Sequence, residues 1–154
     1  MTGKRLAIFA IALWVVTIVA LAGQFIGGRT APSEDARTAV VLSSSERDFV
    51  LAEMRLLLKS VQDVVAGVAD GDMERVEQAA RAAGAAAPRQ APAELMIHLP
   101  LGFKKTGMGV HQGFDQIADA AGAGASGDEI LKQLGVQLST CVACHAGYKL
   151  VGED

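Results

Sequence analysis

Between Arg5 and Arg29 the chain runs for 23 residues without a charge, LAIFAIALWVVTIVALAGQFIGG, and only Thr17 and Gln24 in that run have polar side chains. At 1.5 Å per residue a helix of this length is about 34 Å long, enough to cross a hydrocarbon core of about 30 Å. It is apolar all round, which suits lipid better than a surface with one packed face. Lys4 and Arg5 precede it, so the positive-inside bias puts the N-terminus in the cytoplasm and the rest of the chain across the membrane. An uncleaved single-pass anchor in a bacterial inner membrane is expected, with Trp14 near mid-span. The alternative is a signal peptide cut after Ala20-Leu21-Ala22, which would leave a soluble periplasmic protein. The apolar run, however, continues through Phe25 and Ile26, past a usual signal core.

This reading divides the chain into an anchor (1–28), a tether (29–44) and one folded domain (45–154). The part beyond the anchor is mildly acidic, holding all 17 acidic residues against 12 of the 14 basic ones. With no basic stripe, nothing supports nucleic-acid binding. Strand-like alternation is nearly absent, and the expected class is all-α: an antiparallel four-helix bundle preceded by the transmembrane helix.

The first bundle helix is expected from a capping box of Ser45 and Asp48 to about Asp70. Its inward stripe is Val50, Met54, Leu57, Leu58, Val61, Val64, Val65 and Val68, with Arg55 facing away. Gly71 ends it, and Asp72 caps a second, alanine-rich helix to about Ala86. Pro88, Pro92 and Pro100 then break the chain, with a short turn over ELMIHL. A third helix is expected over 101–121. The fourth follows a Ser126/Glu129 capping box and runs over 128–150, with Ile130, Leu134, Leu138, Cys141, His145 and Tyr148 on one side.

Both cysteines of the chain lie in CVACH, residues 141–145. A disulfide between Cys141 and Cys144 would close a very short loop and stabilise little. A thioredoxin-like dithiol belongs at a helix N-terminus in a βαβ setting. Zinc would need a fourth ligand beyond this trio, from His98 or His111. Covalent haem uses every feature at once: two thiols two residues apart add to the vinyl groups, and His145 follows as an axial ligand. Haem c is the leading reading, and the thiol and zinc readings remain alternatives.

Cys141, Cys144, His145, Tyr148 and Lys149 together form a C-terminal C-x-x-C-H-x-x-Tyr-Lys pattern that resembles class II cytochromes c, the cytochrome c′ group, over about residues 45–150. The stretch GFKKTGMGVHQGFDQIADAA is similar to the third helix of its low-spin members. The resemblance implies a left-handed bundle with Cys141 and Cys144 as thioether residues, His145 as proximal ligand and Lys149 near the proximal face. It also implies a distal position on the first helix. Met54, the only methionine there, is the expected sixth ligand, with core filler as its alternative role. His111, His98, Met96 and Met108 are weaker candidates.

The implied function is not enzymatic: a periplasmic carrier of single electrons, tethered near redox partner proteins of the membrane. The alternatives are a five-coordinate NO- or CO-binding protein and a haem accessory subunit of a respiratory complex. Pairing of two copies through the first two helices is a further option that the resemblance carries.

Overall fold

A computed structural model describes residues 2–153 of the chain; residues 1 and 154, the ends of the expected first and last segments, lie outside it. The protein is mostly helical. Helix α1 (Thr2–Gly27) is one unbroken rod, and its Gly3–Gly27 stretch is long and apolar enough to cross a membrane, with none of it buried. The other helices are α2 (Ser44–Asp70), α3 (Met73–Ala82), the single turn α4 (Leu95–His98), α5 (Leu101–Gly122) and α6 (Gly127–Gly147).

Local chemistry sets most of these ends. The Ser126 hydroxyl accepts from the Glu129 N–H, while the Glu129 carboxylate accepts from the Ser126 N–H at 2.8 Å, the expected box at the start of α6. Asp72 caps α3 through the Arg75 N–H at 2.9 Å, and Gly71 ends α2 at φ 71°. The box opening α2 sits two residues earlier than expected, on Ser43 and Glu46 instead of Ser45 and Asp48. Helix α3 stops at Ala82, short of the expected Ala86, and a 3-10 turn over Ala87–Gln90 follows.

Helices α2, α3, α5 and α6 share one core, centred on Val64, Val76, Phe114, Ile117, Ile130 and Leu134. Side-chain pairs show the order of packing. Arg81 of α3 reaches Asp115 and Asp119 of α5 at 3.1 and 2.5 Å, and the Gln137 amide of α6 donates to the Val110 carbonyl of α5 at 2.5 Å. A Cβ on Gly127 would come within 2.9 Å of Val68, whereas Met54 and His145 share cavity walls at the other end, so α2 and α6 run in opposite directions. On α2 the inward stripe is narrower than the sequence implied, because Leu58 and Val65 are 69% and 46% exposed.

The all-α expectation is corrected by a three-stranded sheet. Strand β1 (Thr30–Ala31) pairs antiparallel with β2 (Thr38–Leu42), and β2 pairs parallel with β3 (Tyr148–Gly152), with Thr38 opposite Tyr148 and Leu42 opposite Gly152. Residues 29–44, expected as an irregular tether, thus supply two strands. The last helix ends at Gly147, so Tyr148 begins a strand instead of continuing the helical stripe. The physical cause is burial: Val40 and Leu42 are fully buried in a second core with Val50, Leu95, Leu99 and Phe103, and β-branched residues suit a pleated surface.

Truncating a fully buried leucine leaves a cavity that costs about 2–5 kcal/mol, whereas exposed sites stay within about 0.5 kcal/mol. Leu42→Ala is therefore expected to lower unfolding free energy by that larger amount and Val136→Ala, at a 72% exposed position, to leave it nearly unchanged. Chemical denaturation of the two variants, followed by circular dichroism, measures the difference; equal midpoints would mean that β2 does not pack as described.

Candidate functional site

Cys141, Cys144 and His145 occupy the last two turns of α6, at steps that keep them on neighbouring faces. The first half of the helix buries Ile130, Leu134 and Gln137, yet further along the covering protein ends. Leu138 is 39% exposed and Val142 69%, the cysteines are half-buried and His145 is exposed. Leu58 stands bare on α2 beside this region. The result is an apolar surface around the CVACH segment that no other described part of the chain covers.

Two adjoining cavities lie there. One, of about 200 Å³, is walled by Leu51, Met54, Phe103, Cys144, His145 and Tyr148, with Arg37, Arg47 and Lys149 contributing positive charge. The other, of about 350 Å³, is walled by Leu57, Val61, Phe114, Leu138, Cys141 and His145. Leu51, Met54 and His145 belong to both walls. Arg55, expected to face away from the inward stripe, also borders the second cavity. Jointly they reach the class of about 300–1,000 Å³ usual for cofactor sites.

Burial pushes the Cys141 thiol above its ordinary pKa, and burial together with the neighbouring Cys141 does the same to Cys144. Their place near the C-terminus of α6 also disfavours a thiolate, because the helix dipole is negative at that end. A disulfide-exchange site needs the opposite, at least one thiol with a depressed pKa. The two cysteines do not form a disulfide with each other.

The turn after CVACH is held from several sides. Tyr148 packs edge-on against Phe103, with ring centroids 5.4 Å apart, and its hydroxyl lies where a Cβ on residue 102 would be only 2.6 Å away. Gly102 is the residue that leaves room for it. Arg37 donates to the His145 carbonyl at 3.5 Å, satisfying one orphan acceptor at the end of α6, and to Asp35 at 2.7 Å. Lys149 lies 3.5 Å from the same Asp35. Hydrogen bonds from Arg37 and then Ser33 hold the Asp35 carboxyl well below the usual carboxylate range. Sequence reading did not single out Arg37, because only the β2–β3 pairing carries it to the end of α6.

Other candidate ligands have different neighbours. His98 Nδ1 lies 2.6 Å from the Glu46 carboxylate, and His111 Nδ1 lies 2.8 Å from the Ala83 carbonyl. Met96, Met108 and His111 line a third cavity of about 140 Å³ that reaches Met54 but contains neither cysteine. Met54 is the methionine shared by all three cavities and the one that adjoins Cys144 and His145. Among the described residues no three His, Cys, Asp or Glu side chains converge as a metal-binding group, and Cys141, Cys144 and His145 are no exception. No protein-family model, curated protein or solved structure matches the chain.

Burial alone would raise the pKa of Glu46, but donors on Ser43 and the His98 ring outweigh it, and the carboxyl titrates below its ordinary value of 4.5. A depressed folded-state pKa contributes stability that is present above the unfolded value and lost as pH falls through the folded one. Glu46→Gln is expected to cost about 1–3 kcal/mol at pH 6, the penalty for spoiling a buried hydrogen-bonded group. The gap to the parent should narrow as the pH drops below 4.5. Denaturation midpoints between pH 6 and pH 3 give the comparison, and a constant gap would contradict it.

Proposed function

We propose that the chain is a membrane-anchored, monohaem c-type cytochrome of the class II kind that carries single electrons on the periplasmic side of a bacterial inner membrane. The observation that carries this reading is the placement of CVACH where α6 leaves the core and an apolar surface stands uncovered beside two cavities. The four helices α2, α3, α5 and α6 would then form the bundle of that class. Lys4 and Arg5 before α1 support the orientation.

The residues present fit a haem. Cys141 and Cys144 are free of any disulfide and half-buried beside apolar space, and reduced sulfurs are what thioether formation with vinyl groups requires. His145 and Met54 border both cavities, so they are the pair that would hold the iron. Arg37, Arg47 and Lys149 supply the positive charge that suits the two carboxylates of the porphyrin. When bound, the haem supplies a one-electron couple at its iron. The protein's part is to hold and screen it: Leu57, Val61 and Phe114 exclude water, and Tyr148 against Phe103 fixes the backbone that follows His145. A thioether from Met54, being uncharged, would favour the reduced state of the iron. The partners are redox proteins in or near the same membrane.

Visible spectroscopy of the full-length protein, coexpressed with a c-type haem maturation system and extracted in mild detergent, tests the reading. A covalently coloured protein with a low-spin spectrum is expected. Cys141→Ala with Cys144→Ala should abolish covalent colour, and Met54→Ala should give a high-spin ferrous form that binds CO. A colourless parent protein would reject the haem. A high-spin parent that binds CO, unchanged by Met54→Ala, would instead favour the gas-binding alternative.

A further inference from the structure

The junction between α1 and the globular part has almost no slack. Only Gly28 and Arg29 separate the end of α1 from β1, and Gly28 sits at φ 64°, where a Cβ would lie 2.5 Å from the His98 carbonyl oxygen. Its N–H donates to the Gln24 carbonyl at 2.8 Å, and the Arg29 N–H donates to the His98 carbonyl at 2.7 Å. Lys104 of α5 completes the junction. Its ammonium donates to the Phe25 carbonyl at 2.6 Å and to the Met96 carbonyl at 2.9 Å, and sits 3.4 Å above the centre of the Phe25 ring. The last carbonyls of α1 and α4 are thereby bound to the same cation, an arrangement that holds two helix ends together.

That junction sets α4 beside the membrane-spanning helix. Ile97 shares an apolar groove of about 430 Å³ with Ile18, Leu21, Ala22, Gln24 and Phe25. Leu21 lies six residues before Gly27, about 9 Å along the helix axis, so the groove extends well below the end of the apolar rod. Met96 and Ile97 are 39% and 43% exposed there, with no protein over them. An amphipathic segment lying at a membrane surface typically reaches about 5–10 Å into the headgroup and acyl boundary, a similar depth.

We infer that α4 is a membrane-seated foot, with Met96 and Ile97 in the headgroup and acyl boundary and a phospholipid acyl chain in the groove between Ile97 and α1. The occupant is lipid because the groove is continuous with the surface of a helix that itself fits a bilayer, and its walls are almost wholly apolar. The inference rests on α1 spanning the membrane and is independent of what CVACH binds.

Full-length protein reconstituted in phosphatidylcholine vesicles that contain a phospholipid with a diazirine on the acyl chain provides the test. After irradiation, peptide mass spectrometry is expected to find lipid adducts on α1 and on Met96 or Ile97, and none on Val136, a more exposed apolar residue of α6. Adducts on α1 without any on residues 95–98, or labelling of Val136 to the same extent, would overturn the seat. No adducts on α1 either would overturn the span and the seat together. Gly28→Ala, which forces a side chain against the His98–Pro100 backbone, is expected to bring the Met96 and Ile97 adducts down to the Val136 level while leaving those on α1. Retention at the parent level would show that this junction does not hold the foot.

Discussion

The parallel pairing of β2 with β3 is the constraint on which the site depends. It joins residues 38–42 to residues 148–152, so the segment following α1 and the segment following CVACH become one surface. Without it, α6 would end in an unsupported turn, because the strand residues carry Val40 and Leu42 into the second core and bring Arg37 to the His145 carbonyl. Parallel pairing needs a long crossover, and here the crossover is nearly the whole helical domain. The geometry around Cys144 and His145 is therefore a property of the complete fold, not of a local motif.

A second consequence concerns α6 itself. One helix serves two environments along its length: Ile130 and Leu134 are sealed in the shared core, while Leu138 and Val142 are exposed and Cys141 only half-buried. Natural surfaces rarely leave such a contiguous apolar area open without a partner. A covalent apolar cofactor would explain why the helix stays apolar past the point where its neighbours stop covering it. The raised thiol pKa values agree with that environment, since the same low polarity that suits a porphyrin disfavours a thiolate.

Much of this was legible in the sequence, for identifiable reasons. The uncharged run ahead of Arg29, the Ser126/Glu129 box, Gly71 and the Asp72 cap are local signals, and each appears where its chemistry places it. The start of α2 was less legible because Ser43, Ser44 and Ser45 offer three similar hydroxyls. What selects Ser43 is that Glu46 is buried against His98, a contact between residues 52 apart. TAVVL was unreadable as a strand because five residues carry little signal until YKLVG arrives as their partner. Leu58 and Val65 were misplaced for a related reason: periodicity gives a helix face but not where the neighbouring helix stops covering it. Met54 was singled out by its helix position, and it lines the same cavity as His145; Arg37 and Arg47 carried no spacing signal at all.

The sheet and the junction also act together. Strand β1 leaves α1 after two residues, pairs with β2, and β2 pairs with β3, so hydrogen-bonded structure runs from the end of α1 to the residue after Gly147. A flexible tether of n residues would let the domain sample a volume that grows with length, and the local concentration of its site at a partner would fall accordingly. A domain built directly onto α1 samples little. Its cavities then face a fixed direction relative to the end of α1. Under the cytochrome reading this exchanges reach for orientation: electron partners in the same membrane meet the site repeatedly in one pose, whereas a partner whose docking surface lies far above the bilayer is out of reach.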